Sequence, residues 1–215
     1  MDLFGLTADS VAARVSSAPA EARIPTLGQS IWRGSVAFCF ASLLVFATVA
    51  FGERWMYRQF GLYGAYAIWT LLFVLVGGGA LSPLIIGPGR LARFYLLFSA
   101  AFLLYAAGWV AAYFAMPNKA GEWLGSLAGS ILMGLTLAVA FGAVGAAWKI
   151  VPVLFLLHSA GYFAGDFLYK AVGGRLGMML WGVCYGLGVG AGLGYALYVA
   201  QAPVRARLNA WSAKA

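Results

Sequence analysis

The sequence predicts an all-α fold, a polytopic integral membrane bundle of six transmembrane helices with close glycine- and alanine-mediated packing. Composition is the first observation: 63% of its 215 residues are hydrophobic and only 9% are charged, against roughly half and a quarter in a soluble domain. Spacing is the second, because the apolar residues come in blocks long enough to cross a hydrocarbon layer, which takes about 20 residues of helix. The third is where the charges fall, between the blocks rather than within them. The formal charge of +8 therefore reads as a set of topology signals at helix ends and not as a nucleic-acid footprint.

Residues 1–30 form an N-terminal arm, polar and rich in Ala and Ser. Leu3, Phe4, Leu6, Val11 and Val15 recur at rough helical spacing before Pro19 and Pro25. A short amphipathic helix on the membrane surface and a disordered arm both fit this pattern. No basic start leads into a short apolar core and cleavage site, so the arm is expected to be retained.

The membrane domain occupies 31–201. The first span runs from about Ile31 to Phe51 and stops at Glu53 and Arg54, and the second runs from about Phe60 to Ile86, where Gly87-Pro88-Gly89 breaks the helix. The third, about Leu91 to Met116, ends at Pro117-Asn118-Lys119. The fourth covers about Trp123 to Ala147, the fifth Ile150 to Val172 and the sixth Leu176 to Ala200. Loops this short make successive helices antiparallel neighbours. Trp32, Trp55, Trp123, Trp148 and Trp211 fall near span ends, as in an aromatic belt. Residues 202–215 form a short basic tail.

Basic residues set the expected orientation. Nine lie on the side of the N-terminus (Arg14, Arg23, Arg33, Arg90, Arg93, Lys149, Arg205, Arg207, Lys214) and five on the other (Arg54, Arg58, Lys119, Lys170, Arg175). The excess places both termini in the cytoplasm. The first span alone favours the reverse, with Arg33 before it and Arg54 and Arg58 after.

Glycine supplies the most regular pattern. Gly182, Gly186, Gly190 and Gly194 recur every four residues in the sixth span, with Gly188 and Gly192 in a second row. Gly121, Gly125 and Gly129 repeat the device in the fourth span, and Gly161 and Gly165 in the fifth. Such rows make smooth faces on which another backbone approaches closely, and in the sixth span they also allow bending during a transport cycle. Gly77-Gly78-Gly79 followed by Ser82-Pro83 marks either a kinked second span or its fraying end.

Polar chemistry inside the blocks is sparse. His158 is the one histidine, Asp166 is the one acid well inside an apolar block, and Tyr162 lies four residues from each. This stripe on the fifth span has two readings. In one, Asp166 pairs with Lys170 and His158 bonds a neighbouring helix; in the other, His158, Tyr162 and Asp166 line a substrate or proton pathway, or His158 is an axial ligand to a haem or pigment. Cys39 and Cys184 form no paired motif, and no ordinary protein zinc or di-iron site can be assembled from one histidine without acids beside it.

The stretch His158-Ser159-Ala160-Gly161-Tyr162-Phe163-Ala164-Gly165 resembles the histidine helix of rhomboid intramembrane proteases over these eight residues. That family's Gly-x-Ser-Gly nucleophile turn does not occur in this chain, and Ser126 and Ser130 stand on the immediately preceding span, not two spans earlier, so the resemblance supplies no nucleophile and base. In outline, six spans with both ends inside are similar to the substrate-capturing subunits of energy-coupling-factor vitamin transporters. The expected function is a transporter or substrate-binding membrane component for a small solute. The alternative is a non-catalytic subunit of a larger membrane complex, using its glycine faces for partner helices and binding a pigment, haem or lipid. An enzyme ranks third.

Overall fold

In a computed structural model that describes residues 2–17 and 24–212, every regular element is a helix. Arg23, Lys214 and Pro19 lie outside the described residues. Helix α1 spans Ala8–Ser17, α2 Leu27–Leu72, α3 Gly78–Leu81, α4 Arg90–Ala115, α5 Lys119–Ala140, α6 Ala147–Val172, α7 Gly174–Ala200 and α8 Ala202–Ser212. Five helical segments are long and apolar enough to cross a membrane, beginning with a 58-residue stretch, Leu27–Leu84.

That stretch is not one rod. A straight helix would separate Phe38 from Phe73 by about 52 Å at the usual rise, yet their rings stack with centroids 5.4 Å apart. The chain reverses at Gly61, whose φ of 66° and ψ of −177° suit glycine and few other residues. Helix α2 thus has two antiparallel limbs, 27–60 and 62–72. Glu53 and Arg54, where the first span is expected to stop, stay helical up to the reversal at Gly61, because charges near a span end can reach the interface without breaking backbone hydrogen bonds.

The first limb starts on a capping box, in which Thr26 accepts from the Gln29 amide and the Gln29 side chain accepts from the Thr26 amide. The second limb widens into a π-helical turn at Phe73–Gly77, passes through α3, and ends in a 3₁₀ turn at Ser82–Leu84, where Pro83 lacks the amide to continue. The Tyr95 hydroxyl donates to the Leu75 carbonyl at 2.6 Å. Next comes the extended Ile85–Ile86 stretch, held by the buried Gln201 side chain. Its amide nitrogen donates to the Leu84 and Leu197 carbonyls, both at 3.0 Å, and its oxygen accepts from the Ile86 amide at 2.8 Å.

Helix α5 ends at Ala140, seven residues before the expected end of the fourth span, and a turn at 141–146 leads into α6. Trp148 and Lys149 consequently belong to the first turn of α6 and not to the end of the preceding span.

Neighbours form a closed circuit: the first limb of α2 packs on α7, α7 on α6, α6 on α5, α5 on α4, and α4 on the second limb and α3. The interior is lined by Phe38, Phe73, Phe98, Phe102, Tyr105 and Tyr185. Outward faces carry exposed Leu and Phe, and Trp32, Trp55, Trp123 and Trp148 are exposed at helix ends, the distribution suited to lipid with interfacial tryptophans. The protein is a multi-pass, all-helical membrane protein by the length and composition of these helices.

Helix α1 packs on α8, burying Val11 and Val15 against Ile86, Val204 and Leu208, and Asp9 lies 3.5 Å from Arg207. Residues 8–17 are thus a helix whose Val11 and Val15 are covered by protein. Residues 202–212, read from sequence as a tail, are helical. Both terminal helices sit at one end of the bundle.

Candidate functional site

The glycine rows explain how the helices around the interior come so close. A Cβ at Gly186 would stand 2.5 Å from the Cys39 Cα and 2.7 Å from the Ser42 Cβ, and one at Gly190 would stand 2.8 Å from the Ser35 Cα. Gly182 faces Phe46 and Gly194 faces Ser30 and Ile31. The whole four-residue row therefore lies along the first limb of α2, where the Ser42 hydroxyl also donates to the Gly182 carbonyl at 2.7 Å. On the other side of α7, Gly188 and Gly161 meet each other, and Gly165 meets Trp181. In α5, Gly129 leaves room for the Tyr105 ring and Gly125 for Trp109, whereas Gly121 faces the Met116 main chain.

Those close approaches bring α4, α6 and α7 together around His158. The imidazole is 2% exposed, and its Nε2 lies 2.9 Å from the Tyr105 hydroxyl, which is 3.0 Å from the Tyr185 hydroxyl. One imidazole and two phenols from three helices thus share a buried hydrogen-bonded chain. Its direction differs from the stripe expected along α6: it crosses the bundle, and hydrogen bonds do not join His158 to Tyr162 or Tyr162 to Asp166.

Tyr162 is instead surrounded by rings. Its centroid lies 6.2 Å from His158, 5.8 Å from Trp109 and 5.5 Å from Trp181. Each of these three neighbours has a buried nitrogen with no hydrogen-bond partner in the structure: His158 Nδ1, Trp109 Nε1 and Trp181 Nε1. Native proteins satisfy the great majority of such atoms, by protein groups or by ordered water, so the rings around Tyr162 carry an unusual share of spare polar capacity.

Asp166 lies at the end of α6 remote from the terminal helices. It accepts from Lys170 at 2.7 Å and from Lys119 at 2.9 Å, and Lys119 also meets Glu122 at 2.6 Å. The pairing of Asp166 with Lys170 follows from their i, i+4 spacing, but Lys119, 47 residues away, carried only a topology reading in the sequence. Both lysines are more than half exposed, which suits an interfacial cluster.

The rings packed edge-on against His158, Tyr105 at 5.4 Å and Tyr185 at 5.7 Å, leave no slot for a macrocycle across the imidazole, so these residues do not fit an axially ligated haem or pigment. Among the described residues, no three His, Cys, Asp or Glu side chains gather as a metal site. Comparison with protein-family models, curated proteins and solved structures finds no match to this chain.

Proposed function

We propose that the protein is a six-crossing carrier or capture component for a small uncharged solute, with both termini in the cytoplasm. The reversal at Gly61 gives the 58-residue segment two antiparallel limbs, which supports two crossings there, and the docking of α1 on α8 is the arrangement expected of an even number. The nine-to-five division of basic residues supports the inward orientation.

The observation that carries the reading is the trio of unpaired nitrogens around Tyr162. Two indole donors and an imidazole nitrogen among aromatic walls would recognise a planar or partly apolar solute bearing hydrogen-bond acceptors, the combination typical of small-molecule sites. Among the described residues no charged side chain is buried, and an unpaired ion would be expensive to bury there. The glycine rows, which could have served partner subunits, are occupied by this chain's own helices, which weighs against the accessory-subunit reading.

The test is native mass spectrometry of the full chain extracted in mild detergent. A low-mass adduct should accompany wild type, disappear from His158→Gln and Trp109→Phe, and persist in the lipid-facing control Trp55→Phe. A stoichiometric partner chain with no small-molecule adduct would overturn the reading in favour of an accessory subunit.

A further inference from the structure

A second unsatisfied arrangement lies at the opposite end from the Asp166 cluster, where the N-terminal loop covers the start of α4. Gly5 has a φ of 62°, and a Cβ there would stand 3.0 Å from Arg93 Nε and 3.4 Å from Arg14 Nη1. Two guanidinium groups thus converge beside one glycine that has no side chain to separate them. Arg14 donates to the Gly5 carbonyl and Arg93 to the Pro88 carbonyl at 3.1 Å, so main-chain oxygens fix both groups, but neither is within ion-pair distance of an acid among the described residues. Arg14 Nε is buried without a partner.

The N-terminus of α4 adds to this positive charge, and a single carboxylate offsets part of it. Arg93 stands in the first turn of α4, whose cap, Gly89, offers no side-chain acceptor, and a helix N-terminus already carries partial positive charge. Burial and the neighbouring Arg93 both disfavour the charged form of Arg14, while Asp2 favours it. That carboxylate is engaged by its own loop, accepting from the Leu6 amide at 3.2 Å, from the Thr7 hydroxyl at 2.6 Å and from Ser10. A fold that holds two cations together at a helix N-terminus, with a buried donor to spare, is stabilised by an anion placed between them.

We propose that Arg14 and Arg93, gathered at Gly5 beneath the N-terminal loop, bind a phosphate group at this end of the bundle. Planar guanidinium forks match phosphate oxygens in pairs. The phosphate is supplied either by an anionic lipid headgroup at the adjoining interface or by a free phosphate anion. Binding would tie the 2–17 segment to the start of α4, because Arg14 belongs to α1 and Arg93 to α4.

The experiment uses the purified full chain in neutral detergent, with three probes: inorganic phosphate, dihexanoyl phosphatidate and zwitterionic dihexanoyl phosphatidylcholine. Well above its dissociation constant, about 100-fold, a bound probe raises the melting temperature by about 5 to 10 °C. Phosphate and phosphatidate both raising it identifies the phosphate group itself as the ligand; phosphatidate alone identifies a lipid headgroup. In either case the rise should vanish in the Arg14→Gln, Arg93→Gln double variant and survive in Arg54→Gln, Arg58→Gln, at the other end of the bundle. An equal rise in the first variant, or none with either anionic probe, overturns the proposal. Should the double variant fail to fold, hydrogen exchange over residues 2–17 of wild type decides: slowing by an anionic probe supports the site, and unchanged exchange refutes it.

Discussion

Replacing Gly190 with Ala tests whether the seam between α2 and α7 is as tight as it looks. The added methyl would stand 2.8 Å from the Ser35 Cα and closer still to the Gly34 carbonyl oxygen. Ordinary contact begins at 3.4 Å, so the two backbones must separate by at least 0.6 Å at that point, and no flexible side chain is available to move instead. Overpacking of this kind costs about 1 to 3 kcal/mol. Alanine also favours helix over glycine by up to about 1 kcal/mol, which would mask part of the loss. Gly52→Ala is the internal control, because Gly52 is helical and has nothing within 4 Å of its missing Cβ. The difference between the two variants reads packing alone: for a chain of this size, Gly190→Ala should melt about 2 to 12 °C below Gly52→Ala. Thermal unfolding of both in the same detergent is the assay. Equal melting temperatures would mean that α2 and α7 do not touch at Gly190 as described.

Other perturbations have equally specific outcomes. Tyr105→Phe removes the hydroxyl shared by His158 and Tyr185 and leaves Nε2 buried without a partner, so it should cost about 1 to 3 kcal/mol, against about 0.5 to 1.5 for Tyr185→Phe, in denaturation of the purified protein. Gln201→Leu strips the Ile86 amide and the Leu84 carbonyl of their side-chain partner, while the Leu197 carbonyl keeps the Gln201 main-chain amide; hydrogen exchange at Ile86 should speed up while the middle of α7 stays protected. Burial alone would raise the Asp2 pKa, but the Ser10 and Thr7 hydroxyls and the Leu6 and Thr7 amides pull it down from 3.8 to about 2. Its contribution to holding the N-terminal loop is therefore complete above about pH 4 and is lost as pH falls through about 2. Limited pepsin digestion across pH 1.5 to 4 should show residues 2–17 opening only at the acid end, and Asp2→Asn should abolish that dependence.

Glycine spacing was the most legible feature because a four-residue period maps directly onto one helical face, wherever that face points. Which helix receives it was not legible, since Cys39 and Ser42 in α2 carry no matching signal. The reversal at Gly61 was hidden among Gly52, Gly64 and the Gly77–Gly79 run, and the charges at Glu53 and Arg54 mark a span end short of the residue at which the chain turns. His158 stood out as the one imidazole. Its partners did not: Tyr105 and Tyr185 lie 53 and 80 residues away from His158 and Tyr105, respectively, among 11 tyrosines, and only the closed circuit of helices brings them together. Similarly, Arg14 and Arg93 counted as separate topology charges until the turn at Gly87–Gly89 and the N-terminal loop placed them side by side.

The contact between α1 and α8 also sets an order on biosynthesis. Val11 and Val15 leave the ribosome long before Val204 and Leu208 exist; at about 5 to 20 residues per second the interval between Val15 and Val204 is roughly 10 to 40 s. Throughout that time the apolar face of α1 lacks the α8 half of its native cover. An early helix that must wait for a late one is a natural client for a holding factor or for the membrane surface itself.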